Sequence, residues 1–150
     1  QHATPLIIND HAEIARMVAV EGVHVGQGDL AVAEARRIAG RSLLVGKSTH
    51  SLAQAKVAEA EGADYIGFGP LFATPTKPDY APIGLTDIER VQREVNLPVF
   101  CIGGIKLENL SKVIAAGARC VVIVSGLLHA ADVAEYARAV HALLNRESKV

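Results

Sequence analysis

The sequence predicts an α/β fold of the TIM (β/α)8 barrel type, in which parallel strands alternate with helices across one domain spanning residues 1–150. Three observations predict it. Short β-branched or Leu-rich runs alternate with Ala-rich stretches of helical period. With one wider gap, the runs start about 20 residues apart, the length that a strand, a turn and a three-turn helix require. Polar residues and glycines fall just after the C-terminal end of each run. A closed barrel gathers those ends at one mouth. The open doubly wound alternative is disfavoured because no G-x-G-x-x-G opens the first helix.

The first two strands are Pro5 to Ile8, followed by Asn9 and Asp10, and Gly22 to Val25, followed by Gln27 to Asp29. The third is Leu43 to Gly46, with Ser48 to His50 behind it. Ser51 and Gln54 then mark a helix start, because a hydroxyl and an N3 side chain can satisfy the first turn's orphan amides. Tyr65 to Phe68 is the fourth strand. The wide gap from Gly69 to Gly84 is an inserted loop, after which Thr86 and Glu89 repeat the capping pattern. Val99 to Ile102 and Cys120 to Val124 complete the set. Gly62 and Gly117 each follow an Ala-rich helix, as a left-handed stop would, and Gly22 is expected to do the same. The chain starts at Gln1 and its only methionine is Met17, so it is expected to be a piece of something longer.

Composition bounds the function. Of 150 residues, 50% are hydrophobic and 21% charged, which suits a soluble domain with its own core and excludes disorder. Lys+Arg number 15 against 16 Asp+Glu, a net charge of -1 without a basic block, so no nucleic-acid partner is expected. The longest apolar stretch, Ile114 to Leu128, is too short for a bilayer and is broken by Arg119, and no leader-like segment precedes the first strand. A cytoplasmic location away from membranes is the expectation. Cys101 and Cys120 lie on separate apolar runs and read as buried thiols.

The chemistry is expected at the strand ends. Ile102-Gly103-Gly104-Ile105 and Val124-Ser125-Gly126 put glycines and a small hydroxyl where backbone amides can approach a phosphate, although strand-to-helix turns use glycine for geometry alone as well. Barrels make such cradles after strands seven and eight. On that count the chain carries about six units, strands three to eight, and lacks the first two. The inserted loop holds Thr74, Thr76 and Lys77 between prolines, a compact donor set for phosphate oxygens. Asp10 and Asp29 are candidate Mg²⁺ ligands, two carboxylates on neighbouring units, while Asp29 alone reads equally well as a cap for the helix that follows. Asn9 adds an amide donor. His50 is a candidate proton carrier beyond the third strand, whereas His24, inside the second, is expected to pack with one nitrogen satisfied.

Taken in order, Leu6-Ile7-Ile8-Asn9-Asp10, Gly22-Val23-His24-Val25-Gly26-Gln27, Ser48-Thr49-His50-Ser51, Gly62-Ala63-Asp64-Tyr65-Ile66-Gly67, Thr74-Pro75-Thr76-Lys77 and Ile102-Gly103-Gly104-Ile105 resemble the thiamine-phosphate synthase family over nearly the whole chain. The resemblance implies a (βα)8 barrel and a transferase. In this family a pyrimidine diphosphate loses pyrophosphate and the resulting pyrimidine methyl cation is captured by the nitrogen of a thiazole phosphate. It further implies Mg²⁺ on Asp10 and Asp29, catalysis and pyrimidine diphosphate contacts by Asn9, Ser48 and Lys77, and thiazole phosphate contacts by Thr74, Thr76, Gly104, Val124 and Ser125. The family's first two units, with a Gln and basic residues on the second strand, have no counterpart before Gln1. A missing N-terminal segment or another chain is therefore expected to complete the barrel, and the isolated chain to be a poor enzyme. Two rivals stand beside this reading. One is a thiazole tautomerase of the same superfamily, which uses a histidine at the position of His50, and the other is a non-catalytic barrel fragment that binds phosphorylated ligands.

Overall fold

The computed structural model describes residues 4–74 and 80–147. Strands and helices alternate: β1 (Ile7–Asn9), α1 (Ala12–Met17), β2 (Gly22–Val25), α2 (Val32–Ala39), β3 (Leu44–Thr49), α3 (Leu52–Ala60), β4 (Tyr65–Phe68), α4 (Ile88–Glu94), β5 (Val99–Ile102), α5 (Leu107–Ala115), β6 (Cys120–Val122), α6 (Ser125–Leu128) and α7 (Val133–Glu147). The strands form a sheet in the order β1-β2-β3-β4-β5-β6, and the pairs β1/β2, β2/β3 and β5/β6 are parallel. This is the α/β alternation expected of βα repeats. Two compact units divide the chain: residues 1–67 with 95–98, and residues 68–94 with 99–150.

In the first unit, side chains alternate across the pleat. Val23 and Val25 of β2 and Val45 of β3 are fully buried, with Val32, Ala35 and Ala55 from the helices. His24, Gly46 and Ser48 occupy the opposite face, His24 lying level with Gly46 in the β2/β3 register. Asp64 ties three elements together: its Oδ2 accepts from Val45 N and from Arg36 Nη2, each at 2.7 Å, while Arg36 also donates to Gly62 O at 2.8 Å. In the second unit Phe68, Leu71, Ile88, Val91, Leu110 and Val113 form the buried set.

Several local expectations are met and several are corrected. Gly62 and Gly117 have φ of 82° and 100°, and the residues after them donate back to Ala58 O and Val113 O, which closes each helix with a left-handed stop. Gly22 is not such a stop. It is a residue of β2, and a Cβ there would lie 2.5 Å from Leu44 O. The stop after α2 is Gly40, with φ 105°. Ser51 caps α3 by accepting from Gln54 N at 3.3 Å, but the Gln54 side chain reaches one residue further than a capping box, to His50 N at 2.7 Å. Regular α4 begins only at Ile88, with Thr86 in the turn before it. Cys101 is buried as expected, whereas Cys120 is only half-buried; both are free.

Candidate functional site

The first unit assembles its candidate residues around His24. Asn9, the last residue of β1, pairs in register with His24. Asp10 follows in a left-handed conformation, φ 65°, at the centre of a three-residue turn in which His11 N donates to Asn9 O at 2.8 Å. Asp10 N donates to His24 O, also at 2.8 Å. Asp is among the few non-glycine side chains that enter this region readily, and a residue held there points to a constraint beyond packing.

Ser48 lies within β3, not beyond it, because the strand continues to Thr49. Its Oγ is 2.9 Å from His24 Nε2, and its carbonyl accepts from Gln27 Nε2 at 2.6 Å. His24 Nδ1 lies 3.2 Å from the Tyr65 hydroxyl, so both ring nitrogens are engaged rather than the one expected. Burial, reinforced by the neighbouring Asp64 carboxylate, pushes the Tyr65 phenol up to about 12, so that it keeps its proton. Gln27, His24 and Tyr65 thus contact the candidate residue Ser48 directly or through His24, although spacing did not single them out. The available signal was Gly46, since a glycine inside a strand marks a close approach.

Asp29 does not cap α2, whose N-cap Ala31 makes no side-chain bond. Its Oδ2 accepts from Gly26 N at 2.7 Å and its N–H returns to Gly26 O at 3.3 Å, closing the turn after β2. The same turn is held from below by Lys47. That ammonium is buried at 7% exposure and donates to Gly26 O at 2.8 Å and Leu30 O at 3.3 Å, so its charge is met by carbonyl oxygens. Gln27, Asp29, Lys47, Gln54, Val57 and Glu61 are among the residues lining a cavity of about 360 Å³ in this unit. His50 follows β3 immediately, with its N–H committed to Gln54.

Whether these residues fit Mg²⁺ follows from the donor set. Asp29 Oδ1 has no hydrogen-bond partner among the described residues, and Asp10 stands at a strand end in the same unit. Among the described residues no group of three or more His, Cys, Asp or Glu side chains could hold a metal ion. Two carboxylates with the remaining positions left to water and phosphate oxygens are an ordinary arrangement for Mg²⁺, so the residues fit that ion and not a preformed cage of the structural-zinc kind.

The second unit shows a glycine-lined turn. Leu71 N donates to Ile102 O at 2.9 Å and Phe72 N to Gly103 O at 3.1 Å, laying the loop after β4 along the end of β5. Side chains at this junction are excluded by the backbone: a Cβ on Gly103 would overlap Pro70, and one on Gly104 would sit 2.8 Å from Ala73 O. Gly104 and the residue preceding Thr74 are therefore in direct apposition. Asn109 Nδ2 steadies the turn by donating to Gly104 O at 2.9 Å. Val124 is the N-cap of α6 and Ser125 its first residue, while Tyr136 of α7 lies against Gly126 and accepts from Leu107 N at 3.0 Å. Thr76 and Lys77 lie outside the described residues.

The model of a family described as thiamine monophosphate synthase matches residues 1–127. Thiamine-phosphate synthases from Pelotomaculum thermopropionicum and Chloroflexus aurantiacus are 44% and 47% identical over 142 residues, 94% of this chain. The chain spans 65% of the length of each. A solved thiamine phosphate pyrophosphorylase from Pyrococcus furiosus superposes with a TM-score of 0.85 at 31% identity, covering 93% of this chain and 67% of that one. With the family model covering most of the chain and these relatives aligned along it, the chain belongs to the thiamine monophosphate synthase family.

Proposed function

We propose that this chain contributes the greater part of a thiamine-phosphate synthase, the transferase that couples hydroxymethylpyrimidine diphosphate to a thiazole phosphate and releases pyrophosphate. The observation that carries the reading is that Asn9 and Asp10 through the backbone, and Ser48 through its hydroxyl, all meet His24, three candidate residues from the ends of neighbouring strands in one unit. Family membership supplies the reaction. In this reading the scissile C–O bond breaks with its electron pair leaving on pyrophosphate, and the thiazole nitrogen closes the new C–N bond to the pyrimidine methyl carbon. Asn9, Ser48 and Lys77 hold the diphosphate half, and Lys77 stabilises charge that grows on the leaving group. Thr74, Thr76, Gly104, Val124 and Ser125 bind the thiazole phosphate through hydroxyls and backbone amides. Asp10 and Asp29 would hold Mg²⁺, which when bound supplies further positive charge to the pyrophosphate oxygens. Relatives that carry the synthase name favour this reading over a tautomerase.

The same reading completes an eight-unit barrel with two further βα units, from an N-terminal segment or a second chain. The test is formation of thiamine phosphate from the two substrates by the 150-residue chain and by a version extended N-terminally by two units. The extended protein should turn over at least tenfold faster, lose activity on chelation of Mg²⁺, and lose about a hundredfold in turnover on Lys77→Ala. Equal rates for the two proteins would overturn the completion. Activity that survives both chelation and Lys77→Ala would overturn the synthase reading.

A further inference from the structure

Tyr65, His24 and Ser48 form a chain of hydrogen bonds across three strands, and the direction of that chain decides what Ser48 can offer a ligand. Neutral imidazole carries one proton, so one ring nitrogen donates and the other accepts. Two arrangements are available. Either Tyr65 donates to Nδ1 and Nε2–H donates to Ser48, or the whole chain runs in reverse. A phenol is the more acidic hydroxyl, and so the better donor and the poorer acceptor, while an alkyl hydroxyl accepts well. The first arrangement matches each group to its stronger role. The raised Tyr65 phenol keeps its proton throughout the neutral range and is always able to donate.

The surroundings are built for this contact. His24 is level with Gly46 in the β2/β3 register, and a Cβ on Gly46 would sit 2.5 Å from His24 Nδ1 and overlap the Tyr65 ring. Glycine inside a strand is destabilising relative to alanine. Here its missing side chain leaves the space in which Tyr65 reaches across β3 to the imidazole, the ring centroids 5.4 Å apart and tilted by 34°. The backbones of His24 and Ser48 are themselves held, by Asp10 N on His24 O and by Gln27 Nε2 on Ser48 O.

We propose that Tyr65 and His24 are positioning residues for Ser48: Tyr65 fixes the Nε2–H tautomer of His24, His24 donates to Ser48 Oγ, and the Ser48 proton is thereby turned out toward an acceptor atom of the ligand. The role rests on the reading that Ser48 touches the pyrimidine diphosphate. With one Ser48 lone pair taken by His24, the hydroxyl proton is left for an acceptor such as a ring nitrogen or a diphosphate oxygen.

Two measurements test it. In the 150-residue chain labelled with ¹⁵N-histidine, the resonances that disappear on His24→Gln should show a pyridine-like Nδ1 and a pyrrole-like Nε2, and Tyr65→Phe should mix the two forms. A pyrrole-like Nδ1 in the unmodified chain overturns the proposal whatever the ligand does. Calorimetry with hydroxymethylpyrimidine diphosphate and Mg²⁺ should show about tenfold weaker binding for Ser48→Ala and for His24→Leu, the worth of one hydrogen bond to a charged or strongly polar group. His24→Gln, whose amide N–H replaces Nε2–H, should recover most of that loss. A Gln variant no better than the Leu variant overturns the positioning role, while unchanged binding by Ser48→Ala, with the expected tautomer in place, overturns the functional reading of Ser48 instead.

Discussion

Replacing Gly103 by alanine separates two reasons for a glycine that are usually confounded. Gly103 has φ 98°, so alanine there carries left-handed strain of about 1–2 kcal/mol. A Cβ would also overlap Pro70 and lie 3.0 Å from Leu71 N, backbone that is itself held by the Leu71 and Phe72 hydrogen bonds and cannot swing aside like a side-chain tip. Overpacking of this kind adds about 1–3 kcal/mol. Gly62→Ala is the control, because Gly62 has φ 82° but nothing within 4 Å of its Cβ position. Both substitutions stiffen the unfolded chain equally, so that contribution cancels in the difference. Urea denaturation of the two variants should show Gly103→Ala less stable than Gly62→Ala by about 1–3 kcal/mol at matched m-values. Equal losses would show that the junction between the loop after β4 and the end of β5 yields freely, and would remove the argument that Gly103 and Gly104 hold that loop in place.

Asp10→Asn keeps a side chain that tolerates the left-handed conformation while removing the charge, so denaturation should shift by no more than about 0.5 kcal/mol while calorimetric Mg²⁺ binding is lost; retained Mg²⁺ affinity would count against Asp10 as a ligand. Asp64→Asn weakens two charge-assisted bonds, to Arg36 and Val45 N, at a carboxylate 35% exposed, and should cost about 1–2 kcal/mol in the same assay. Burial, with a smaller contribution from Cys120, pushes the Cys101 thiol up to about 12, so iodoacetamide at pH 8 should label Cys120 in the native protein and spare Cys101 until urea is added. For Cys101 and Tyr65 the folded value lies above the ordinary 9.0 and 10.0, so the folded state holds these protons more tightly than the unfolded chain does. Their contribution is complete below pH 9 and declines between there and pH 12. The denaturation midpoint should therefore fall over that interval, and a midpoint unchanged at pH 11 would contradict both shifts.

What the sequence disclosed of the fold was what local chemistry controls. The strands at Gly22–Val25, Tyr65–Phe68 and Val99–Ile102 match the apolar runs to the residue, and Gly62 and Gly117 stop their helices as left-handed turns must. The misses lie where a residue has two legitimate local uses. Gly22 looked like a helix stop because it follows a helical stretch, yet its reason is lateral, the close passage of Leu44 O on the neighbouring strand. Ser48 and Thr49 looked like loop because the apolar run ends at Gly46, but β3 runs on through both, and the Thr49 hydroxyl is satisfied there by donating to Gly67 O at 2.9 Å.

The same distinction governs the site. Asn9, Asp10 and Ser48 could be nominated from position because strand ends are predictable, and a nominated residue needs only to be near a strand end to be brought to the others. His24 could not. Its role depends on partners 24 and 41 residues away and on an empty place at Gly46, and none of these follows from the order of residues along β2. A histidine whose two nitrogens are both satisfied by side chains is expected to be locked in one tautomer, and such a residue reads from sequence as inert core. It is the glycine opposite that distinguishes the cases. Where packing alone is at issue, a strand interior is better filled by a β-branched residue, so a glycine facing an aromatic pair records space reserved for a polar contact. Gly46→Ala should accordingly displace Tyr65 from His24 before it disturbs the β2/β3 ladder. Loss of the His24 tautomer signature with amide protection of β2 and β3 retained is the expected outcome, and loss of protection across both strands would show that Gly46 serves the sheet and not the site.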